Sequence, residues 1–403
     1  MSQEPAPAAA TRWDIVLMAL GAGILAGFQV GKVPPALPVL RESLGLDLVS
    51  AGWLTSIYYA IGAAVAVAVG LLSDRVGPRR LMLAGVAFLG VGSLMGGLVS
   101  GSAWLLVARF VEGFGFVGIT VTAPKLIATA ARPRDHGLAF GIWGAYMPLG
   151  MAIAMLIAPA LLDSIGWRGF WLVSAVLVAL FMAALGWSLH PRRWPVAFDA
   201  QAPDWPGVRE TLVRAALWLF GLSFALYTLQ WFAITAWLPT FLIETQGRSA
   251  AGAAIWGAMV VAANAFGNFA AAWLMHRRAP RWVLTGIAFC AMGGASAGIF
   301  LSGTPDDLKI VLAFVFSAVG GLLPAAAIAG AAAHAPRAAF VAMASGFVVQ
   351  GAAIGSLLGP PVMAAAVEGL GGWAASWWVM LAVSGAGLGL VAGLIATDRR
   401  PRI

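Results

Sequence analysis

Long apolar runs separated by short polar segments dominate this sequence and restrict what it can fold into. Of its 403 residues, 61% are hydrophobic and 10% are charged, and the mean hydropathy is +0.90. Soluble domains carry about 25% charged residues, and an apolar run of about 20 residues can cross a bilayer as a helix. The sequence therefore excludes an ordinary soluble enzyme and predicts an all-α membrane protein.

Twelve runs qualify as transmembrane helices when the sequence is divided at its polar, Pro- and Gly-containing breaks. We number them spans 1 to 12 in chain order. They cover residues 13–40, 50–73, 80–99, 103–128, 137–162 and 167–189 in the first half, and 213–243, 252–275, 281–301, 308–333, 339–366 and 372–396 in the second. The predicted organisation is two six-helix bundles, 13–189 and 213–396, with a central cytoplasmic loop at 190–212 and tails at 1–12 and 397–403.

The positions of Lys and Arg predict how these spans are oriented. If the N-terminus is cytoplasmic, 17 of the 24 basic residues fall on the cytoplasmic side, four fall outside and three lie within spans. Cytoplasmic loops normally carry this excess. We therefore expect a multi-pass protein of the inner (cytoplasmic) membrane with both termini in the cytoplasm. The same topology explains the net charge of +8, so no nucleic-acid partner is predicted.

The two halves of the chain repeat each other at an offset of about 205 residues. Three positions in spans 5 and 6 recur in spans 11 and 12, namely Gly141, Gly150 and Trp167 as Gly346, Gly355 and Trp373. A parallel six-plus-six repeat is typical of secondary transporters, whose substrate sites lie between the halves near the middle of the membrane.

Two motifs resemble signatures of the major facilitator superfamily. The loop between spans 2 and 3 reads GLLSDRVGPRR (residues 70–80), and span 4 contains RFVEGFG (residues 109–115). With the twelve spans and the repeat, the resemblance covers essentially the whole chain. It implies the fold of that family, in which two pseudo-symmetric six-helix bundles work by alternating access.

The resemblance also implies that the loop motif forms a cytoplasmic gate. Its carboxylate would cap a neighbouring helix and pair with basic residues, and its glycine would permit the tight turn between spans 2 and 3. Pro78 departs from the family pattern, and the repeated motif after span 8 has His276 in place of the carboxylate. The predicted gate residues are Gly70, Asp74, Arg75, Gly77, Arg79 and Arg80.

Four charged residues lie three or more residues inside the ends of the predicted spans, and such charges are candidates for function. Lys32 is in span 1, whereas Arg109, Glu112 and Lys125 are in span 4. Arg109 and Glu112 are three residues apart and share a helix face. The resemblance implies that spans 1, 4, 7 and 10 line a central cavity, which would bring Lys32 near both. Two cations and one carboxylate favour an anionic substrate held by Lys32 or Arg109, with Glu112 pairing the other or taking up a proton.

Each of these interpretations has a structural alternative. Arg109 and Glu112 can form a stabilising pair while Lys32 and Lys125 extend to the membrane interfaces. Uncharged polar side chains in the spans can orient a substrate or can simply hydrogen-bond between helices. The predicted substrate-binding residues in this uncharged group are Gln29, Tyr146, Tyr227, Gln230, Asn264, Asn268 and Gln350.

Searches for other chemistry return nothing. The sequence has no phosphate-binding loop, its four histidines lie on different segments, and its one cysteine excludes a disulfide. We therefore predict no cofactor, no metal site and no catalytic residues.

The predicted function is a monomeric secondary transporter in membrane lipid. It would move a small anionic solute, such as an organic carboxylate, and protons could drive it as a symporter. The alternatives are a drug/proton antiporter, a receptor built on the same fold and a membrane enzyme. The antiporter normally needs an acidic cavity and a Gly-Pro motif in span 5, and the sequence shows neither.

Overall fold

Sixteen α-helices make up almost all of the part of the chain that the structure describes, which is residues 10–190, 192–193, 205–337 and 340–398 of a computed structural model, and this part contains no β-strand. Turns of 3₁₀-helix occur at Ile57–Tyr59, Pro133–Asp135 and Trp373–Ala375. The helices are α1 (Trp13–Gly31), α2 (Val33–Leu44), α3 (Leu48–Ser56), α4 (Ala60–Val76), α5 (Pro78–Leu98), α6 (Ser102–Ala130), α7 (His136–Gly144), α8 (Tyr146–Ser188), α9 (Trp205–Leu212), α10 (Ala215–Gln246), α11 (Ala250–His276), α12 (Arg281–Phe300), α13 (Asp306–Gly320), α14 (Leu322–Ala333), α15 (Val341–Gly369) and α16 (Trp377–Asp398).

Spans 5 and 6 are continuous in helical hydrogen bonding but are two separate membrane crossings. The backbone between them leaves the helical region at Gly166, where φ is +68°. Gly150 packs on Gly27 in α1, and the Phe170 ring contacts the Phe28 ring of the same turn. Twenty residues of straight helix would separate Gly150 and Phe170 by about 30 Å, so the chain folds back at Gly166.

The described helices therefore form the twelve predicted spans, and no predicted end is wrong by more than five residues. Spans 1, 2, 5 and 10 consist of two consecutive helical pieces each. In span 1 the break falls at Lys32, because Pro34 and Pro35 have no N–H to donate to the preceding turn. The short helix α9 lies within the predicted central loop, and Gly207 packs it against Phe340. The boundaries of the two halves stay predictions.

Glycines pack equivalent pairs of spans together in the two halves. A Cβ atom at Gly150 would lie 2.2 Å from the Ile24 carbonyl oxygen in span 1, and one at Gly355 would lie 2.0 Å from the Ala225 carbonyl oxygen in span 7. Small residues allow this close approach of helices in lipid. The glycines of span 11 thus pack inside the second half, and the repeat seen in the sequence corresponds to a repeated packing contact.

Replacing Gly150 by alanine is expected to destabilise the first half. The new methyl group would meet backbone atoms that cannot move independently, and overpacking of this kind costs about 1–3 kcal/mol. The midpoint of thermal unfolding, measured by tryptophan fluorescence in detergent, should fall. Gly186→Ala is the control, because no atom lies within 4 Å of the added methyl group. Equal midpoints for the two variants would contradict the packing argument.

Candidate functional site

Lys32, Arg109 and Glu112 form one ion cluster buried inside the first half. Lys32 Nζ lies 2.7 Å from Glu112 Oε1, and Arg109 Nη1 donates a hydrogen bond to Glu112 Oε2. All three side chains are at most 1% exposed. The structure thus brings together the three residues that the sequence singles out. Lys32 does not reach the surface, so the alternative prediction that its side chain extends to the membrane interface is wrong for this conformation.

Local backbone features place these groups. Lys32 occupies the break between α1 and α2 in span 1. Gly92 in span 3 makes room for the carboxylate, since a Cβ atom there would lie 2.5 Å from Glu112 Cγ. A larger residue at position 92 would therefore push span 3 away from span 4.

Three acceptors, one of them the Glu112 carboxylate, satisfy the lysine ammonium group. Lys32 Nζ donates to Glu112 Oε1, to Gln29 Oε1 at 2.5 Å and to Ser93 Oγ at 3.2 Å, which accounts for its three protons. Gln29 Oε1 also accepts from Ser174 Oγ at 2.9 Å. Spans 1, 3, 4 and 6 therefore meet around this one cation.

The arginine is less completely satisfied. Arg109 Nε donates to the Leu54 carbonyl oxygen at 3.1 Å, Nη1 donates to the Gln29 carbonyl oxygen at 2.8 Å, and the guanidinium lies 4.7 Å from the centre of the Tyr58 ring. Within the described residues, Arg109 Nη2 and Gln29 Nε2 are buried and have no acceptor. The cluster thus has two cations for one carboxylate, and it has N–H groups left over.

The second half contains a neutral polar network instead. Asn264 Nδ2 donates to Tyr227 Oη at 2.8 Å and to the Ser317 carbonyl oxygen at 2.9 Å. Trp231 Nε1 donates to Ser317 Oγ at 3.1 Å, and Asn268 Nδ2 donates to Asn264 Oδ1 at 3.0 Å. The structure groups three of the predicted residues here, and each of them already has a partner within the network.

Two glutamines occupy equivalent positions in the repeat. Gln29 accepts from Ser174 in span 6, and Gln230 accepts from Ser384 in span 12 at 2.8 Å. Each glutamine therefore joins the first and last spans of its own half. Sequence reasoning missed both serines, and the repeat does not reveal them, because the serines are 210 residues apart whereas the glutamines are 201 apart.

An aromatic layer separates the ion cluster from the neutral network. The Tyr58 and Tyr59 rings are 5.3 Å apart, and Tyr59 contacts Phe232 of the second half at 5.1 Å. Phe116 lies 5.2 Å from both tyrosine rings. The predicted residues therefore do not line one common cavity in this conformation.

The two remaining predicted residues lie elsewhere. Gln350 Nε2 donates to the Ala63 carbonyl oxygen at 3.0 Å and so joins span 11 to span 2 of the other half. Tyr146 is half-buried and stacks on Trp143 with ring centres 4.3 Å apart. The substrate-binding role of all these residues stays a prediction.

Polar contacts join the halves at the face where span 1 ends, which we call the opposite face; the face where span 1 begins is the termini face. Arg41 Nη1 lies 2.8 Å from Glu244 Oε1 of the other half, and Trp373 Nε1, in the same half as Glu244, orients that carboxylate by donating to Oε2 at 2.9 Å. The Leu48 N–H donates to Glu368 Oε1 at 2.9 Å. Because these bonds connect span 1 to span 7 and span 2 to span 11, they hold the opposite face closed.

The predicted gate motif lies at the termini face. Gly77 has φ of +88° and precedes Pro78 at the start of α5, so glycine is required by the backbone of this turn. Arg79 is half-buried and Arg80 is exposed. Gly70, Asp74 and Arg75 lie in α4, but their side chains are outside the described part of the structure, and the gating role stays a prediction.

A metal site has no support in the described residues, which contain no group of three His, Cys, Asp or Glu side chains that could hold an ion. Cys290, the one cysteine in the sequence, is exposed and free.

The family model described as Major Facilitator Superfamily matches residues 19–316, about three quarters of the chain. The chain belongs to this superfamily. A solved structure with the same fold is a bacterial homologue of the human lysosomal transporter Spinster in an inward-facing, unoccupied conformation. It has a TM-score of 0.74 and 19% identity, and the match covers 94% of this chain and 93% of that one.

Curated relatives are transporters and resistance proteins. A candidate niacin/nicotinamide transporter of Bacillus subtilis is 25% identical over 70% of both chains. The puromycin resistance protein of Streptomyces alboniger is 30% identical over 45% of this chain and 36% of its own length. Several relatives are matched over only about a third of their length or less. The chain is therefore a multi-pass membrane protein of this superfamily, and the relatives named as transporters are matched in part or at low identity.

Removing Glu112 is expected to destabilise the protein more than removing Lys32. Glu112→Gln leaves two buried cations without a carboxylate, and breaking a buried pair in this way costs about 3–5 kcal/mol. Lys32→Met leaves the neutral Arg109–Glu112 pair and should cost less. Thermal unfolding in detergent should therefore rank wild type above Lys32→Met and Lys32→Met above Glu112→Gln. The reverse order of the two variants would show that the cluster carries no excess positive charge.

Weakening the Arg41–Glu244 pair is expected to open the opposite face more often. An exposed ion pair contributes up to about 1 kcal/mol, which corresponds to roughly two- to fivefold more of the open form for Glu244→Gln. Maleimide labelling of Ser56→Cys, in a Cys290→Ser background, measures this opening because Ser56 is buried in span 2. Glu42→Gln, a nearby exposed carboxylate with no described ion pair, is the control. Unchanged labelling would show that this pair does not hold the face closed.

Proposed function

We propose that the protein is a secondary active transporter that moves a small anionic solute, such as an organic carboxylate, across the inner membrane by alternating access. One observation carries the proposal: the buried cluster contains Lys32 and Arg109 against the single carboxylate of Glu112, and Arg109 Nη2 has no acceptor among the described residues. The cluster is therefore built to favour an additional negative charge.

The free-energy cost of burying an unbalanced charge supports this interpretation. An unbalanced charge in the membrane interior is expensive, and such charges normally serve transport or binding. A substrate carboxylate that reached Arg109 would supply the missing anion and could accept charge-assisted hydrogen bonds from Nη2. The N–H groups of Arg109 Nη2 and Gln29 Nε2, which have no acceptor among the described residues, are donors for such a ligand.

The position of Glu112 supports proton coupling. Its carboxylate accepts from both cations, so it competes with a substrate anion for the same donors. Protonation of Glu112 would weaken both ion pairs and release the cations for the substrate. The proposal therefore favours symport of the anion with a proton.

Access to the cluster requires a conformational change. The aromatic layer of Tyr58, Tyr59, Phe116 and Phe232 covers it on the side of the second half. The polar contacts at the opposite face hold that face closed. We propose that solute reaches the aromatic layer, but not the cluster, through the termini face in this conformation, and that this face is cytoplasmic because it carries most of the Lys and Arg residues.

A drug/proton antiporter is the second candidate. Similarity to the puromycin resistance protein over 45% of the chain favours it, and the aromatic layer between the halves offers contacts for a lipophilic compound. The excess of buried positive charge argues against a cationic drug, because like charges repel in a low-dielectric site.

Ligand-induced stabilisation distinguishes the two candidates. Nicotinate and benzoate should raise the thermal unfolding midpoint of the purified protein, and tetraphenylphosphonium should not. Lys32→Met and Arg109→Gln should lose the response to carboxylates because each removes a cation from the cluster. Lys309→Ala, which removes a partly buried lysine paired with the exposed Asp306 outside the cluster, should keep the full response.

Uptake into proteoliposomes then tests transport itself. Wild type should accumulate the stabilising carboxylate when the pH gradient supplies protons, whereas Glu112→Gln should exchange the anion without accumulating it. Stabilisation by the lipophilic cation alone, unchanged in Lys32→Met, would overturn the anion proposal and favour the antiporter.

A further inference from the structure

The turn between spans 8 and 9 surrounds an open cavity of about 340 Å³ at the termini face. The cavity is lined by Met275, Arg278, Ala279, Pro280 and Arg281. Arg277 precedes these arginines, so three guanidinium groups occur within five residues. The cavity is remote from the ion cluster and from the aromatic layer, and the proposed transport mechanism does not use it.

Arg278 occupies a backbone position that favours glycine. The Ala279 N–H donates to the Leu274 carbonyl oxygen and the Arg278 N–H donates to the Met275 carbonyl oxygen, each at 2.9 Å. This is the hydrogen-bond pattern of a helix end in which the residue after the C-cap has a left-handed conformation, and that residue is usually glycine. Arg278 has φ of +67° and is the one non-glycine residue with positive φ in the described part of the chain. The sequence therefore tolerates backbone strain there and retains the side chain.

No carboxylate in the described part of the chain neutralises the positive charge of this turn. Arg277, Arg278 and Arg281 form no ion pair with any described carboxylate, and Arg281 Nε is buried without an acceptor. The equivalent turn between spans 2 and 3 carries a carboxylate, Asp74, where this turn has His276. An anion from outside the described chain would complete the cavity.

The residues beside the cavity indicate that it lies at the membrane interface. Trp273 is 57% exposed near the end of α11, and the Arg277 guanidinium lies 5.1 Å from the centre of its ring. Exposed tryptophan at the end of a span marks the interface between hydrocarbon and water. The arginines thus lie where lipid phosphates lie.

We propose that this turn binds the phosphate of an anionic phospholipid headgroup. Arg278 and Arg281 would donate N–H bonds from the wall of the cavity, because guanidinium groups match phosphate oxygens in pairs. Arg277 and Trp273 would hold the glycerol region at the rim. Basic pockets at the ends of transmembrane helices are suited to such lipids.

Topology alone does not account for these features. The excess of positive charge in cytoplasmic loops requires basic residues anywhere in the turn. It requires neither an arginine in a left-handed backbone position nor a cavity between the guanidinium groups.

The decisive variant is Arg278→Gly, tested in detergent with added dioleoyl-phosphatidylglycerol, dioleoyl-phosphatidylcholine or inorganic phosphate. Without lipid the variant should unfold at the same or a higher temperature than wild type, because glycine relieves the strain. Phosphatidylglycerol should raise the midpoint of wild type and should raise that of Arg278→Gly by less than half as much. Phosphatidylcholine and inorganic phosphate should produce no comparable shift.

Arg134→Ala controls for general loss of charge, because Arg134 is an exposed arginine beside Asp135 in the turn between spans 4 and 5. It should keep the full response to phosphatidylglycerol, and native mass spectrometry should show fewer retained lipids only for Arg278→Gly. Equal responses of the two variants would overturn the site. A shift by inorganic phosphate as large as that by lipid would overturn the assignment to a lipid headgroup.

Discussion

A carboxylate between two cations, buried in the membrane-embedded first half, is the interaction on which the rest of the structure depends. Lys32, Arg109 and Glu112 cannot be separated without leaving a charge in a medium that does not solvate it. Their hydrogen bonds reach Gln29, Ser93 and the backbone of span 2, and Gln29 in turn accepts from Ser174 in span 6. Five spans of the first half are therefore fixed in register around one small cluster.

The second half uses the same scaffold without the charge. Gln230 and Ser384 repeat the contact of Gln29 and Ser174, and Gly355 repeats the close packing of Gly150. Asn264 and Trp231 donate to Ser317, which stands 205 residues after Glu112, and Asn264 also donates to Tyr227. Duplication thus preserved the packing of the helices, and divergence placed the charge in one half only.

The two repeated turns at the termini face diverged in the same manner. The first combines Asp74 with arginines, as the gate motif of the superfamily does, and the second has His276 with arginines around an open cavity. Removing the carboxylate from a basic turn leaves its arginines able to bind a phosphate. One ancestral turn can in this way serve a gate in one half and a lipid contact in the other.

Sequence alone determined the twelve spans, the repeat and the superfamily, because apolar length and helix-breaking residues act locally along the chain. It also predicted that Lys32 lies near Arg109 and Glu112. Only the tertiary structure decided that the cluster is closed behind an aromatic layer, that Ser93 and Ser174 complete it, and that Gln350 bonds across the halves. These outcomes depend on which helix faces meet, and nearly uniform apolar helices carry little periodic signal to specify their facing sides.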